Sequence, residues 1–195
     1  MKMNKSIALV FMTAVFLCSS VSTIASDRPG WLLFLDAGVP LKGAEGMYGA
    51  DFGKSFLELA GQARLARNFF AECSFVFFPG PRPGDDFFYN SDGVELALDG
   101  VWKFAALKKI GPFVKIGLSY AWIRSNNAWR EIYYPDAARE TSQWLGLNAG
   151  GGVECKLSDK LLLRLGGIFT LVPNDGEGAV ASWGKLFAGL GIILK

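Results

Sequence analysis

Alternation is the feature that most limits what this chain can fold into. Through most of the sequence after residue 30, apolar and polar side chains change places at every second residue. That is the period of a strand with two unlike faces. In Ser55–Leu65, the residues Leu57, Leu59, Gly61, Ala63 and Leu65 share one face, with Glu58, Gln62 and Arg64 on the other. In Pro112–Ile123, Val114, Ile116, Leu118, Tyr120 and Trp122 oppose Lys115 and Ser119. Trp144–Lys156 sets Leu145, Leu147, Ala149, Val153 and Cys155 against Asn148, Glu154 and Lys156. Leu161–Val172 sets Leu161, Leu163, Leu165, Phe169 and Leu171 against Arg164 and Thr170. Gly184–Lys195 sets Leu186, Ala188, Leu190, Ile192 and Leu194 against Lys185, Gly189 and Gly191.

With Trp31–Val39, Phe69–Phe78 and Gly93–Phe104, the pattern predicts eight strands, most of them about ten residues long. Their connections differ by side. Ala66-Arg67-Asn68, the segment around Lys108-Lys109, and Leu157-Ser158-Asp159-Lys160 are tight turns. Residues 40–54, 79–92, 124–143 and 173–183 are longer and polar. Short turns at one end and long loops at the other are the asymmetry of a membrane barrel, and a soluble sandwich has no reason to sort its loops by length. The expected fold is all-β: a closed, antiparallel, up-and-down transmembrane barrel of about eight strands, with both termini on the short-turn side.

Composition decides which face meets lipid. The chain is 51% hydrophobic, yet beyond its first 25 residues no apolar run nears the roughly 18–20 residues of a spanning helix. A soluble barrel with an apolar interior needs a heavily charged exterior. Here the polar face carries only one to three charged groups per strand, among Gly, Ala and Ser. That density suits a narrow, crowded lumen.

The N-terminus reads as an export signal over residues 1–25. Lys2 and Lys5 precede an apolar core from Ser6 to Leu17, and Thr23-Ile24-Ala25 supplies a cleavage site near Ala25. Residues 26–195 then form the barrel domain. Removing Lys2 and Lys5 from 20 basic residues against 18 acidic ones leaves the two counts equal, so nothing calls for nucleic acid. Cys73 and Cys155 fall on non-adjacent strands with outward side chains, as small lipid-facing hydrophobes rather than a disulfide. Trp122, Trp144 and Trp183 near the long-loop ends, and Trp31, Phe69, Trp102 and Phe104 near the short turns, match two interfacial aromatic bands.

The lumen-facing phase carries Asp36, Glu58, Glu72, Glu95, Asp99 and Glu154, together with Arg64, Lys103, Lys115, Arg164 and Lys185. In a bore just wide enough for side chains, these form a polar network in which each charge needs a partner. The other interpretation is a gated ion path. Catalysis is not expected, because the chain has no histidine to serve as base or zinc ligand. Glu95 and Asp99, four residues apart on one strand, lie about 13 Å apart, too far to share a proton. Gly150-Gly151-Gly152 and Gly166-Gly167 precede no helical pattern and read as strand glycines. No catalytic residue, cofactor or metal site is assigned. In the long loops, Trp129, Tyr133 and Tyr134 stand among Arg130, Glu131, Arg139 and Glu140, either as contact residues or as caps over the barrel mouth.

Gly-Pro-Phe-Val-Lys-Ile-Gly-Leu (111–118) and Leu-Asn-Ala-Gly-Gly-Gly-Val-Glu-Cys-Lys-Leu-Ser-Asp-Lys-Leu-Leu-Leu-Arg (147–164) carry a family resemblance. From Gly111 onward the chain is similar to the bacterial outer-membrane β-barrel family of OmpA-like transmembrane domains and small porin-like proteins. The second segment resembles that family's hairpin of glycine-rich strand, polar turn and strand with an inward Arg, here Arg164. The ending Ile193-Leu194-Lys195 departs from the family's usual terminal aromatic, and the resemblance, confined to the barrel, implies no cell-wall tether. The resemblance implies an outer-membrane location and contact with outer-membrane lipid and lipopolysaccharide. Those motifs specify architecture and not activity; the expected role is structural or surface-interacting, with a plugged lumen and loops that touch a partner. The alternative is a narrow channel or a conduit for small apolar molecules.

Overall fold

The computed structural model describes residues 30–41, 55–79, 90–104, 109–126, 139–172 and 181–194. The export signal and the loop residues Trp129, Tyr133 and Tyr134 lie outside them. Eight strands follow in chain order: β1 Trp31–Leu41, β2 Phe56–Arg64, β3 Phe69–Phe78, β4 Asn90–Lys103, β5 Ile110–Asn126, β6 Arg139–Lys156, β7 Leu161–Val172 and β8 Ala181–Leu194. Each pairs antiparallel with its neighbours in sequence, and β1 pairs with β8 to close the barrel. Closure gives every strand two ladders and leaves no edge through the wall, which is what lipid demands of a sheet.

Alternation holds around the wall. On β1, Leu32, Phe34 and Asp36 are buried while Leu33 and Leu35 are exposed. On β7, Leu162, Arg164, Ile168, Thr170 and Val172 turn inward while Leu165, Phe169 and Leu171 turn out. Ile116 is 71% exposed, whereas Arg164 is 0% exposed. The wall is therefore apolar and the bore charged. Ala63 departs from this. It keeps the outward phase beside Trp31 in the register but is covered.

The largest differences from the expected strand ends lie on the long-loop side. β4, β5, β6 and β8 begin or end three to five residues further into the long-loop side than expected, taking in Asn90, Arg124–Asn126, Arg139–Ser142 and Ala181–Trp183. Side-chain alternation stops where lipid stops, but backbone pairing does not need lipid. The ladder runs on, with Ser125 opposite Glu140 and Asn126 opposite Arg139. β1 also runs two residues beyond Val39, through Pro40. That residue pairs with Lys185 of β8, and the β2 ladder has already ended at Gly38. A residue with no N–H is tolerated where one neighbour is missing.

The aromatic bands are partly corrected. Trp102 and Phe104 are exposed at the short-turn end, and Trp102 packs against Phe69 with ring centroids 6.3 Å apart. At the other end Trp122 stays on the outward phase beside Tyr120. Trp183 is buried, however, and Trp144 packs against the interior cluster, their rings 5.9 Å apart. Both stand on the inward phase of their strands, at the long-loop end of the bore. Cys73 and Cys155 sit half-buried on β3 and β6, on the outward phase and not joined to each other.

Candidate functional site: the charged lumen

The inward phase of seven strands delivers a polar group to one cluster in the bore. Asp36 comes from β1, Glu58 and Gln62 from β2, Glu72 from β3, Asp99 from β4, Lys115 from β5, Asn148 from β6 and Arg164 from β7. All are buried. The Arg164 guanidinium donates to Asp36 through one nitrogen and to Glu72 through the other, and Glu58 lies 4.0 Å away. Lys115 Nζ stands 2.6 Å from Glu72 Oε1, 3.4 Å from Asp99 Oδ2 and 3.9 Å from Glu58 Oε1. Gln62 Nε2 donates to Glu72 Oε2 at 2.6 Å. Asn148 Nδ2 donates to Asp99 Oδ1 at 3.3 Å and its carbonyl accepts from Thr170 Oγ1 at 2.9 Å. Glu58 is held by the two cations' charge rather than by hydrogen bonds.

Two pairs stand apart from this cluster. Lys103 Nζ donates to both oxygens of Glu154 at 2.8 and 2.7 Å. Lys185 Nζ donates to Glu95 Oε1 at 2.8 Å. Glu95 and Asp99, the two acids on β4, thus turn to different cations.

Glycines make room for these crossings. Gly189 on β8 lies in register between Arg164 of β7 and Asp36 of β1, and a Cβ there would run into the Asp36 carboxylate. Gly117 on β5 occupies the same place between Asp99 and Asn148. In each case an empty position lets side chains two strands apart meet.

Apolar groups border the charges along the strands. Phe34 precedes Asp36 on β1, Phe70 precedes Glu72 on β3, and Val76 and Phe78 follow it; all are buried. The Arg164 guanidinium carbon lies 4.2 Å from the centre of the Phe34 ring, and Lys103 Nζ lies 4.5 Å from that of Phe70. Such contacts favour a desolvated cation. This inward aromatic layer is not among the residues expected in the bore from the sequence. Phase would have shown it, since Phe34, Phe70 and Phe187 each stand two residues from an inward charge.

Arg64 does not join the network. It sits at the short-turn rim, where Nε donates to the Ala66 carbonyl at 3.2 Å and a terminal nitrogen donates to the Arg67 carbonyl at 3.0 Å. Its phase is inward, but at the end of β2 the turn offers carbonyls closer than any lumen acid. The cluster therefore contains four carboxylates and two cations, and its chemistry is cross-linking. Arg164 alone ties β7 to β1 and β3. Among the described residues no group of three or more acidic or thiol side chains is placed to hold a metal.

A buried ion pair adds little net stability but is costly to break from one side. Lys103→Met is expected to cost about 2 kcal/mol by leaving the Glu154 carboxylate buried without its donor. Pairing it with Glu154→Leu should recover most of that loss. Urea midpoints of the four proteins in detergent measure the coupling, and additive losses would show that the pair is not a unit.

An apolar wall around a charged bore is the build of a small transmembrane β-barrel. The chain is similar in fold to Neisserial surface protein A, with a TM-score of 0.62, 11% identity, and 85% of this chain and 99% of that one covered. It is also similar to the N-terminal β-barrel domain of Pseudomonas aeruginosa OprF (TM-score 0.58, 12% identity, 84% and 97% covered). The attachment invasion locus protein Ail of Yersinia pestis is comparable (TM-score 0.58, 10% identity, 86% and 100% covered). At such identities the likeness is one of fold. No protein-family profile and no curated protein sequence matches the chain.

Proposed function

We propose that the chain is an integral outer-membrane barrel with a structural or surface-contact role, its bore closed by the ion-pair network. The observation that carries this is burial at the centre of the lumen. Asp36, Glu72 and Arg164 are each 0% exposed, so water has no access to the groups that would line a pore. The strand ends support an orientation with both termini and the short turns in the periplasm and the long connections outside, as in barrels of this kind. Outer-membrane lipid and lipopolysaccharide are then its surroundings, and the loop bearing Trp129, Tyr133 and Tyr134 is the proposed contact with a surface partner.

Two measurements test this. Unheated protein in SDS is expected to migrate apart from boiled protein, because closure pairs the backbone throughout the wall. An unshifted band would overturn the barrel itself. In planar bilayers the folded protein is expected to give no steady unit conductance. Reproducible steps would reject the closed bore in favour of a narrow channel.

A further inference from the structure

The short-turn rim is strongly basic, and the lumen network does not use its charges. Each of the three tight turns or its flank carries an exposed cation: Arg67 between β2 and β3, Lys109 before β5, and Lys160 between β6 and β7. None makes an ion pair with a described residue. Arg64 adds a fourth positive group whose guanidinium is bonded to the Arg67 carbonyl. Lys156 adds a fifth, paired with Asp159 at 2.8 Å. Asp159 is the one acid among the described residues of this rim.

Backbone bonds hold these turns in fixed places around the rim. Lys103 N–H donates to the Asn68 carbonyl at 2.8 Å, Lys156 N–H to that of Lys109 at 2.8 Å, and Ile193 N–H to that of Lys160 at 2.9 Å. Each turn is thereby stitched to the next strand pair, and the cations form a collar. Toward the wall the collar meets apolar groups suited to a membrane boundary. Trp102 is 46% exposed and Phe104 59% exposed, with Ile110 and Leu157 exposed beside the basic turns. Aromatic rings at the headgroup level, with cations just beyond, face the depth at which phosphates lie.

We propose that this collar binds the phosphate groups of anionic phospholipids in the leaflet on the short-turn side, drawing a ring of them around the barrel. The proposal rests on the membrane placement given above. Charge complementarity selects the ligand, and continuity with the apolar wall selects a lipid over a soluble anion. A bilayer phosphate already sits at the right depth and needs no separate docking surface.

The test uses the folded full chain in phosphatidylcholine vesicles doped, at equal mole fraction, with either dibrominated phosphatidylglycerol or dibrominated phosphatidylcholine. Bromine quenches nearby tryptophan, so the ratio of quenching reports which lipid collects beside the wall. Phosphatidylglycerol is expected to be enriched about threefold in low salt, with the enrichment falling toward one as salt screens the collar. The variant Arg67→Gln/Lys109→Gln/Lys160→Gln should lose the enrichment while keeping its gel-mobility shift. Equal quenching by the two lipids, salt-insensitive enrichment, or an undiminished ratio in the variant would each overturn the proposal. If wild-type protein shows no enrichment but sediments with purified peptidoglycan through the same three residues, the collar belongs to the cell wall and the lipid assignment is wrong. If the variant does not fold, the salt dependence of the wild type decides. A missing mobility shift in the wild type would instead count against the barrel in the membrane.

Discussion

Arg164→Met is expected to remove about 4 kcal/mol of stability, because it leaves the buried Asp36 with no cation and the buried Glu72 with one of its two. Asp36 and Glu72 both receive hydrogen bonds from the Arg164 guanidinium, and both are fully buried. Methionine fills much of the same volume against Phe34 and Phe187, so lost packing is a minor part of the effect. Lys115 still faces Glu72, but no other described cation lies within ion-pair distance of Asp36. The measurement is the urea midpoint of the folded barrel in detergent, followed by gel mobility. Adding Asp36→Asn and Glu72→Gln to Arg164→Met should restore most of the loss, because amides can stay buried without a counter-charge. A single variant as stable as the wild type would mean that the network is decoration rather than a cross-link.

Gly189→Val should be nearly as damaging, at about 3 kcal/mol, although it removes no interacting group. Its side chain would occupy the space where the Asp36 carboxylate crosses to Arg164, and it would also press on the Leu35 carbonyl. The acid would have to swing off its partner or the ladder between β1 and β8 would have to open. Gly61→Ala provides the control. It is also a strand glycine, but a Cβ there meets nothing within 4 Å, so the change should be close to neutral. Equal losses at the two sites would point to generic strand flexibility and away from the crossing at Gly189.

The two faces of the wall were readable from the sequence because lipid imposes them residue by residue. Leu57 and Glu58, or Leu165 and Arg164, need no knowledge of their neighbours to be assigned. Partners were not readable in the same way. Arg164 meets Asp36 across a glycine on an intervening strand, and that depends on the register of three strands at once. Arg64 shows the limit of phase alone: at the end of a strand, an inward side chain can fold back onto its own turn. Trp144 and Trp183 show the converse, since proximity to the loop end suggested an interfacial belt while their phase placed them inside. The extra length of β4, β5 and β6 escaped notice because polar pairs such as Ser125 and Glu140 leave no hydrophobic trace. Their pairing is held by the backbone.

The bond between Arg164 and Asp36 joins residues 128 apart in the chain, and that between Arg164 and Glu72 joins residues 92 apart. Neither can form in a hairpin or in a partial sheet that has yet to curl. Until β1 meets β8, Asp36 must keep its water, and an open sheet inserted into lipid would have to carry that hydrated ion with it. Sealing the last seam and drying Asp36 are therefore one event. Such contacts between distant residues make that event slow. The polar interior thus works against half-built intermediates: a barrel without its β1–β8 seam keeps the Lys115–Glu72 and Lys103–Glu154 pairs but leaves Asp36 without its cation.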